Sequence, residues 1–176
     1  MNINNINVNK YPISQILDPE SKTIYEIPKY QREYIWGTKQ WEELFNDLME
    51  NGAGYFLGSI ICINTTQDTL NNPKFEVVDG QQRLTTLSLL LAALYVTLDS
   101  NRDSLDEDQQ SDILQLKRKL VIKKTQSEIR IVPQVQHKNL EDYMGLLADK
   151  KIIAPHQTPK FAGNRRIFQG LSLIHI

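Results

Sequence analysis

The sequence has very little cysteine and histidine, and this excludes several kinds of site. Cys62 is the only cysteine, so neither an intrachain disulfide nor a multi-cysteine zinc site can form. It lies in the apolar run at residues 60–63, which predicts a small buried core residue. The histidines, His137, His156 and His175, are far apart and lack neighbouring metal-type ligands. The sequence therefore has no His-Asn-His nuclease motif.

An excess of charge and a long apolar run are also missing. The net charge is −1, so no overall electrostatic attraction draws the chain to nucleic acid or to an anionic membrane. The longest apolar stretch, residues 84–98, is interrupted by threonine and serine, and it is shorter than the roughly 20 residues that cross a membrane. The N-terminus lacks the basic start and apolar centre of a secretion signal. We therefore expect a cytoplasmic protein without a membrane span.

The 176 residues suffice for one domain, or for one domain and part of another. Short strand patterns come early and helical periodicity dominates later, which predicts an α+β fold. We expect a core at residues 1–100 and a helical extension at residues 101–176. The apolar end, residues 171–176, has no capping or pairing segment, so we expect the extension to be truncated.

Hydrophobic periodicity and turn residues place the individual elements. An almost wholly apolar helix from Gln81 or Gln82 to about Leu98 should be central and buried. The other predictions are a strand at 23–27, a helix N-capped by Thr38, a hairpin of buried strand 55–63 and strand 74–78, a helix to Leu120 that starts with a capping box at 104–107, a strand at 128–132 and a helix at 137–148.

The first candidate site is the turn from strand to central helix, at residues 79–86 (DGQQRLTT). The first N–H groups of a helix have no partner within it, and the dipole adds about +0.5 charge, so such a turn suits an anion. Gly80 lets a phosphate approach the backbone, the two glutamines offer amide donors, and Arg83 offers a planar fork. Asp79 can hold a magnesium ion or a ribose hydroxyl.

The same turn is also compatible with a plain helix start. Asp79 would then be an N-cap, with the glutamines and Arg83 solvated on the first turn. No Gly-Lys-Ser/Thr sequence is present, so the turn is not a Walker loop. The residues alone leave the two interpretations open.

The second candidate site is the segment at residues 27–36 (IPKYQREYIW). Aromatic side chains beside arginine can stack on a base and bind a phosphate. Alternatively, Tyr30, Tyr34 and Trp36 anchor a long loop to the core.

These two segments, with residues 55–60 (YFLGSI) between them, resemble the GmrSD restriction endonuclease N-terminal domain family, long catalogued as a domain of unknown function. The order and spacing of the three blocks match over residues 11–98, and the block at 79–83 is highly specific. The resemblance extends more weakly over residues 127–170.

The resemblance implies a ParB/sulfiredoxin-like fold, a small mixed sheet with a central buried helix followed by a helical part, that binds a nucleoside triphosphate. It also implies triphosphate hydrolysis with Mg²⁺ and a role in prokaryotic defence against modified phage DNA. In many members a separate nuclease domain cuts the DNA, and this chain alone is not expected to do so. Carried over by position, the catalytic residues are Asp79, Gln82 and Arg83, the metal ligand is Asp79, and the nucleotide-binding residues are Tyr30, Gln31, Arg32, Gly80, Gln81, Gln82, Arg83 and Thr85.

Some roles stay open at this point. Glu33 is a candidate general base, and Gln81 or Gln82 can instead position the water. The whole pocket can alternatively serve a non-catalytic DNA-binding or regulatory module, or be incomplete in a fragment. The lysines and arginines at 117–119, 123–124 and 165–166 either contact DNA phosphates or form solvated faces. The expected partners are thus a nucleoside triphosphate and, through a nuclease domain or partner, DNA; no membrane partner is expected.

Overall fold

The computed structural model describes residues 10–67, 72–123, 128–155 and 165–170, and these form a mixed α+β structure. The strands are β1 (Ile24–Glu26), β2 (Ile61–Asn64), β3 (Lys74–Asp79), β4 (Val121–Lys123), β5 (Glu128–Ile129) and β6 (Ile131–Val132). The helices are α1 (Ile13–Ile16), α2 (Thr38–Asn51), α3 (Gln81–Ser100), α4 (Glu107–Leu120), α5 (Asn139–Asp149) and α6 (Arg165–Gln169), with 3-10 turns at Arg102–Ser104 and Gln136–Lys138.

The main sheet is small and mixed, with the strand order β2-β3-β1-β6. The hairpin of β2 and β3 is antiparallel, as predicted. The central strand β1 is parallel to both neighbours, and Tyr25 is paired with Phe75 on one side and Ile131 on the other. The sheet therefore takes its strands from both sides of residue 100, while β4 and β5 form a separate two-stranded sheet.

Helix α3 is the central buried helix that the sequence predicts. No glycine or proline interrupts it. Two of its buried hydroxyl groups are satisfied within the helix, since Thr86 donates to the Gln82 carbonyl at 2.8 Å and Ser88 to the Thr85 carbonyl at 2.7 Å. These two hydroxyl groups therefore add little cost to the burial of the helix.

Two clusters of buried apolar side chains share α3. The sheet cluster lies between the sheet and the first turn of α3, and contains Leu17, Ile27, Val77, Leu84 and Ile131. The larger helix cluster includes Tyr34, Trp41, Leu89, Ile113, Leu120, Tyr143, Leu146, Leu147 and Ile167. Each such side chain contributes roughly 1.5–3 kcal/mol by leaving water, so α3 is held at its start through Leu84 in the sheet cluster and from Leu89 onward in the helix cluster.

The predicted buried strand at residues 55–63 is wrong in extent and in burial. Strand β2 begins only at Ile61, because Gly58 has φ +95 and bends the chain before it. Ile61 and Ile63, whose side chains alternate with that of Cys62 along the edge strand β2, are about half exposed, at 53% and 54%. Cys62 packs against the sheet cluster but is only half-buried.

Two helix starts also differ from the prediction. Gly37, not Thr38, is the N-cap of α2. The capping box of α4 does not begin at Ser104 but pairs Asp106 with Gln109, whose backbone N–H donates to Asp106 Oδ1 at 2.8 Å. Both shifts are small, and the helices themselves form where expected.

The predicted strand at residues 128–132 is divided by Arg130. Its side chain is fully buried, and it donates to the carbonyls of Ser21, Thr23 and Arg118 at 2.7–3.2 Å. Burial lowers the pKa of its guanidinium. Arg130 thereby joins the end of α4 to the approach to β1, and it leaves β5 and β6 as separate short strands.

The predictions for Lys124, His156, His175 and the apolar end at 171–176 lie outside the described residues. The 137–148 helix is confirmed as α5, preceded by a 3-10 turn. None of the helices in the described part of the chain has the length and apolar character needed to span a membrane.

Candidate functional site

A cleft of about 440 Å³ lies between the start of α3 and the loop at residues 28–37. Its volume falls in the range of small-molecule sites, about 300–1,000 Å³. The fold thus brings together two segments about fifty residues apart, both singled out from the sequence. The lining residues are Gln31, Arg32, Trp36, Asp79, Gly80, Gln81, Gln82 and Arg83.

Gly80 forms the corner between β3 and α3. It is the N-cap of α3 and has φ +88, a conformation that favours glycine. A Cβ here would lie 2.9 Å from the Ser59 carbonyl oxygen, so the corner has no room for a side chain. Gly80 has no side chain to cap α3, and among the described residues Asp79 makes no capping hydrogen bond to its first turn. The N-cap interpretation of Asp79 is therefore wrong, and the first N–H groups of α3 stay available to an anion.

Arg83 is seated against the backbone that precedes β2. Its Nη1 donates to the Ser59 carbonyl at 2.7 Å. A Cβ on Gly58 would lie 2.8 Å from Arg83 Cζ, so the glycine makes the space for the guanidinium. Since a guanidinium has five N–H donors, this seat fixes the group and leaves donors for a ligand.

Arg32 approaches the cleft from the opposite segment. It is exposed and, among the described residues, has no hydrogen bond or ion pair. The cleft thus holds two arginines and a helix start against one carboxylate, that of Asp79. This balance favours an anionic ligand.

Gln82 holds the backbone of the loop to α3. Its Oε1 accepts from the N–H groups of Ile35 at 2.9 Å and Trp36 at 3.3 Å, and its Nε2 donates to the Glu33 carbonyl at 2.9 Å. The Gln82 side chain is buried, and these bonds occupy both ends of its amide. In this structure it therefore positions the loop.

A second glutamine network holds the loop start. Gln31 donates from Nε2 to the Val78 carbonyl at 2.7 Å and accepts at Oε1 from Gln81 at 3.0 Å. Gln134, which follows β6, donates to the Gln31 carbonyl at 3.1 Å. Arg32 thus follows directly after Gln31, which these three hydrogen bonds hold in place.

Tyr34 anchors the middle of the loop, as the structural interpretation of this segment expects. Trp41 Nε1 donates to the Tyr34 hydroxyl at 2.7 Å, and that hydroxyl lies 2.7 Å from Thr86 Oγ1, which donates to the Gln82 carbonyl. Burial raises the pKa of Tyr34 to about 12. At the surface, Arg166 Nη1 donates to the Ile35 carbonyl at 2.6 Å.

Three of the predicted site residues do not line this cleft. Tyr30 is exposed, and its hydroxyl donates to Glu76 at 2.6 Å. Thr85 is buried, and it lines a small adjoining hollow that shares Arg32, Gln81 and Gln82 with the cleft. Glu33, the candidate general base, also lies outside the lining, and the described residues contain no group of three metal-type side chains.

Sequence reasoning missed several residues that build the cleft. Trp36 lies in a segment already singled out, but it was not placed among the binding residues. The supports from Gln134 and Arg166 come from more than 100 residues away and carry no local signal. The role of Gly58 appears only with the contact to Arg83.

The basic cluster on α4 is partly engaged within the chain. Lys117 Nζ donates to the Lys151 carbonyl at 3.1 Å and lies 5.1 Å from the centre of the Tyr95 ring. Arg118 forms an ion pair with Glu20 at 3.7 Å. Lys117 and Arg118 therefore have partners within the chain, and their presence does not require a nucleic acid.

The fold and the cleft define a mixed α+β domain with a basic pocket at a strand-to-helix corner. Residues 13–175 match the family model described as GmrSD restriction endonuclease, N-terminal domain. The chain belongs to this family, which confirms the resemblance seen in the sequence and extends it over nearly the whole chain. No match was found among curated protein sequences.

Proposed function

We propose that this chain is the nucleoside-triphosphate-binding and -hydrolysing sensor domain of a cytoplasmic, modification-dependent restriction protein that acts against phage. The observation that carries the proposal is a pair of arginines in one cleft of about 440 Å³: Arg83 lies on the first turn of α3, whose N-cap Gly80 has no side chain, and Arg32 lies on the loop. Membership of a restriction endonuclease family supports the biological setting. We also propose that the sheet and α3 form a ParB/sulfiredoxin-like core.

The cleft can neutralise a triphosphate from several sides. The N–H groups of α3 and the planar fork of Arg83 suit phosphate oxygens, and Arg32 adds charge from the loop. Such fixed donors act in catalysis by stabilising the charge that develops as a phosphoryl group transfers. We assign this role first to Arg83, because its seat on Ser59 fixes it before the ligand arrives.

Asp79 fits a magnesium ion that arrives with the triphosphate. Mg²⁺ is commonly bound through one or two carboxylates together with substrate phosphates, and Asp79 is the carboxylate that lines the cleft. The ion would supply further neutralisation of the phosphates. The protein groups around it would then align the triphosphate against the start of α3.

The role of Gln82 in this function is to hold the loop in place, since its amide is bonded to the loop backbone. Gln81 is bonded to Gln31 and belongs to the same support. Tyr30 and Thr85 lie outside the cleft lining, so we leave them out of the proposed binding set.

Calorimetric titration of the chain with ATP, GTP, CTP and UTP in Mg²⁺ tests the proposal. We expect saturable binding, weakened well over tenfold by Arg83→Ala, because a charge-assisted contact contributes roughly 1.5–3 kcal/mol. Arg118→Ala, which removes an exposed arginine outside the cleft, is the matched control and should bind as the wild type does. Both variants should melt normally. Unchanged binding by Arg83→Ala would show that the pocket is wrongly assigned.

A second candidate function is a DNA-binding module without turnover, which Arg32 also suits, because it is exposed at the cleft and has no partner among the described residues. Binding to DNA phosphates weakens steeply as salt rises. Duplex DNA binding that falls steeply between low and physiological salt, together with no binding of any nucleotide, would favour this module over the triphosphatase.

A further inference from the structure

One aromatic side chain stands out in the basic cleft. Trp36 is the aromatic residue that the described part of the chain contributes to the lining, which also contains Gly80 and Arg83. It is half-buried, and it packs against the helix cluster. Trp36 thus belongs both to the core and to the cleft wall.

The backbone of Trp36 is fixed before any ligand binds. Its N–H donates to Gln82 Oε1 at 3.3 Å, and the preceding carbonyl, that of Ile35, accepts from Arg166 at 2.6 Å. The anchor at Tyr34 lies two residues earlier. Since the Trp36 side chain also packs against the helix cluster, it loses little conformational freedom on binding, which is the property that a stacking platform needs.

The cleft lining offers two kinds of surface. The first consists of phosphate-type donors, which are Arg83 and the helix N–H groups at the start of α3 together with Arg32 on the loop; the second is the aromatic side chain of Trp36 on the same loop. Stacking on an aromatic ring is tolerant of base identity, because every base has a π-face. A bare polyphosphate would use the first surface only.

We propose that Trp36 is the base platform of this cleft, and that the ligand is therefore a nucleoside phosphate whose base stacks on the Trp36 indole, with weak selection among bases. This inference rests on the proposed function, because it presupposes phosphate binding beside Arg83. It adds a binding residue and defines the ligand class. Purines should bind a few-fold more tightly than pyrimidines, since their stacking surface is larger.

The test compares four nucleoside triphosphates with inorganic tripolyphosphate, which has the phosphates but no base. We expect the wild-type chain to bind the nucleotides roughly tenfold more tightly than tripolyphosphate, the lower part of the range known for base–aromatic stacking. Trp36→Ala should remove this advantage without weakening tripolyphosphate binding. Trp36→Phe, which retains a ring and its packing, should keep most of it.

Fluorescence gives a second readout that does not depend on affinity. The chain has two tryptophans, and Trp41 is buried at 2% exposure, away from the cleft lining. A base stacked on Trp36 should therefore quench part of the emission, whereas tripolyphosphate should not. The nucleotide-dependent quenching should vanish in Trp36→Phe.

The possible outcomes separate this inference from the function on which it rests. Equal binding of nucleotides and tripolyphosphate, unchanged in Trp36→Ala, would overturn the platform but leave the phosphate pocket standing. Binding of neither ligand would overturn both. A preference above a hundredfold for one base would also overturn it, because stacking alone does not discriminate so strongly.

Discussion

The two arginines of the cleft are held in opposite ways. Arg83 rests on the Ser59 carbonyl in a space left by Gly58, whereas Arg32 projects from a fixed loop and has no partner of its own among the described residues. A preorganised side chain loses less freedom when it binds, so equal charges need not contribute equally. We therefore expect Arg83 to determine affinity and Arg32 to add mainly long-range attraction.

After removal of Arg83 itself, filling the space that its guanidinium occupies should produce the largest change in triphosphate binding. In Gly58→Ala the new Cβ would meet Arg83 Cζ at 2.8 Å, and the flexible guanidinium would move away. We expect triphosphate binding to weaken roughly tenfold, since most of a charge-assisted contact is lost. Calorimetric titration of the variant measures this loss.

Gly54→Ala is the matched control for that substitution. Gly54 has φ +96, nearly the φ +95 of Gly58, but a Cβ there would have nothing within 4 Å. Both variants should carry a similar backbone strain of about 1–3 kcal/mol, and only Gly58→Ala should lose binding. Equal losses in the two would refute the seat.

Removing the anchor of the loop that carries Arg32 should mainly affect stability. Tyr34→Phe deletes the hydroxyl between Trp41 and Thr86, so the buried Trp41 N–H loses its acceptor. We expect the free energy of unfolding to fall by about 1–3 kcal/mol, as measured by urea denaturation. Wild-type stability in this variant would contradict the anchoring role.

The same tyrosine predicts a pH dependence. Burial raises its folded-state pKa from 10.0 to about 12, so above pH 10 the unfolded chain loses this proton first. The contribution of Tyr34 to the free energy of unfolding is thus fully present below pH 10 and is lost as the pH rises to 12. Tyr25 and Tyr143, also raised to about 12, act in the same direction. Between pH 10 and 12, the free energy of unfolding measured by urea denaturation should therefore decline less steeply in Tyr34→Phe than in the exposed control Tyr11→Phe.

The smallest effect is expected at Arg32 itself. Arg32→Lys retains the charge, and within the described structure there is no hydrogen bond for it to break. We expect triphosphate affinity to fall no more than about threefold, which is less than 1 kcal/mol. Arg83→Lys should cost more, because lysine lacks the planar fork. Equal losses in the two lysine variants would remove the distinction between the arginines.

Local patterns predicted the corner at residues 79–83 and helix α3, because a glycine break followed by an uninterrupted apolar run is read from adjacent residues. The same reasoning failed at residues 55–60. Their apolar composition is that of a strand, but Gly58 has a positive φ, and the space beside it is occupied by Arg83, 25 positions later. Packing, not composition, decides that segment.

The glutamines show the other limit of the sequence. Their chemistry suggested ligand contacts, yet the side-chain amide of Gln82 is hydrogen-bonded to three backbone groups of the loop. Which partner a side-chain amide finds depends on tertiary proximity, which a single sequence does not reveal. Arg130 and Arg166 are similar cases, since both bind carbonyls far away in the chain.

The hydrogen bonds from Gln134 and Arg166 to the loop also have a consequence for the order in which the domain folds during synthesis. They contact the loop across 103 and 131 positions, and β1 has to wait for β6 before its second edge is paired. At roughly 5–20 residues per second on a ribosome, the loop is synthesised on the order of ten seconds before Arg166, the last of the residues that hold it in place. The basic corner at Gly80 can therefore form well before the opposite wall is secured, and the cleft is among the last parts of the domain to be completed.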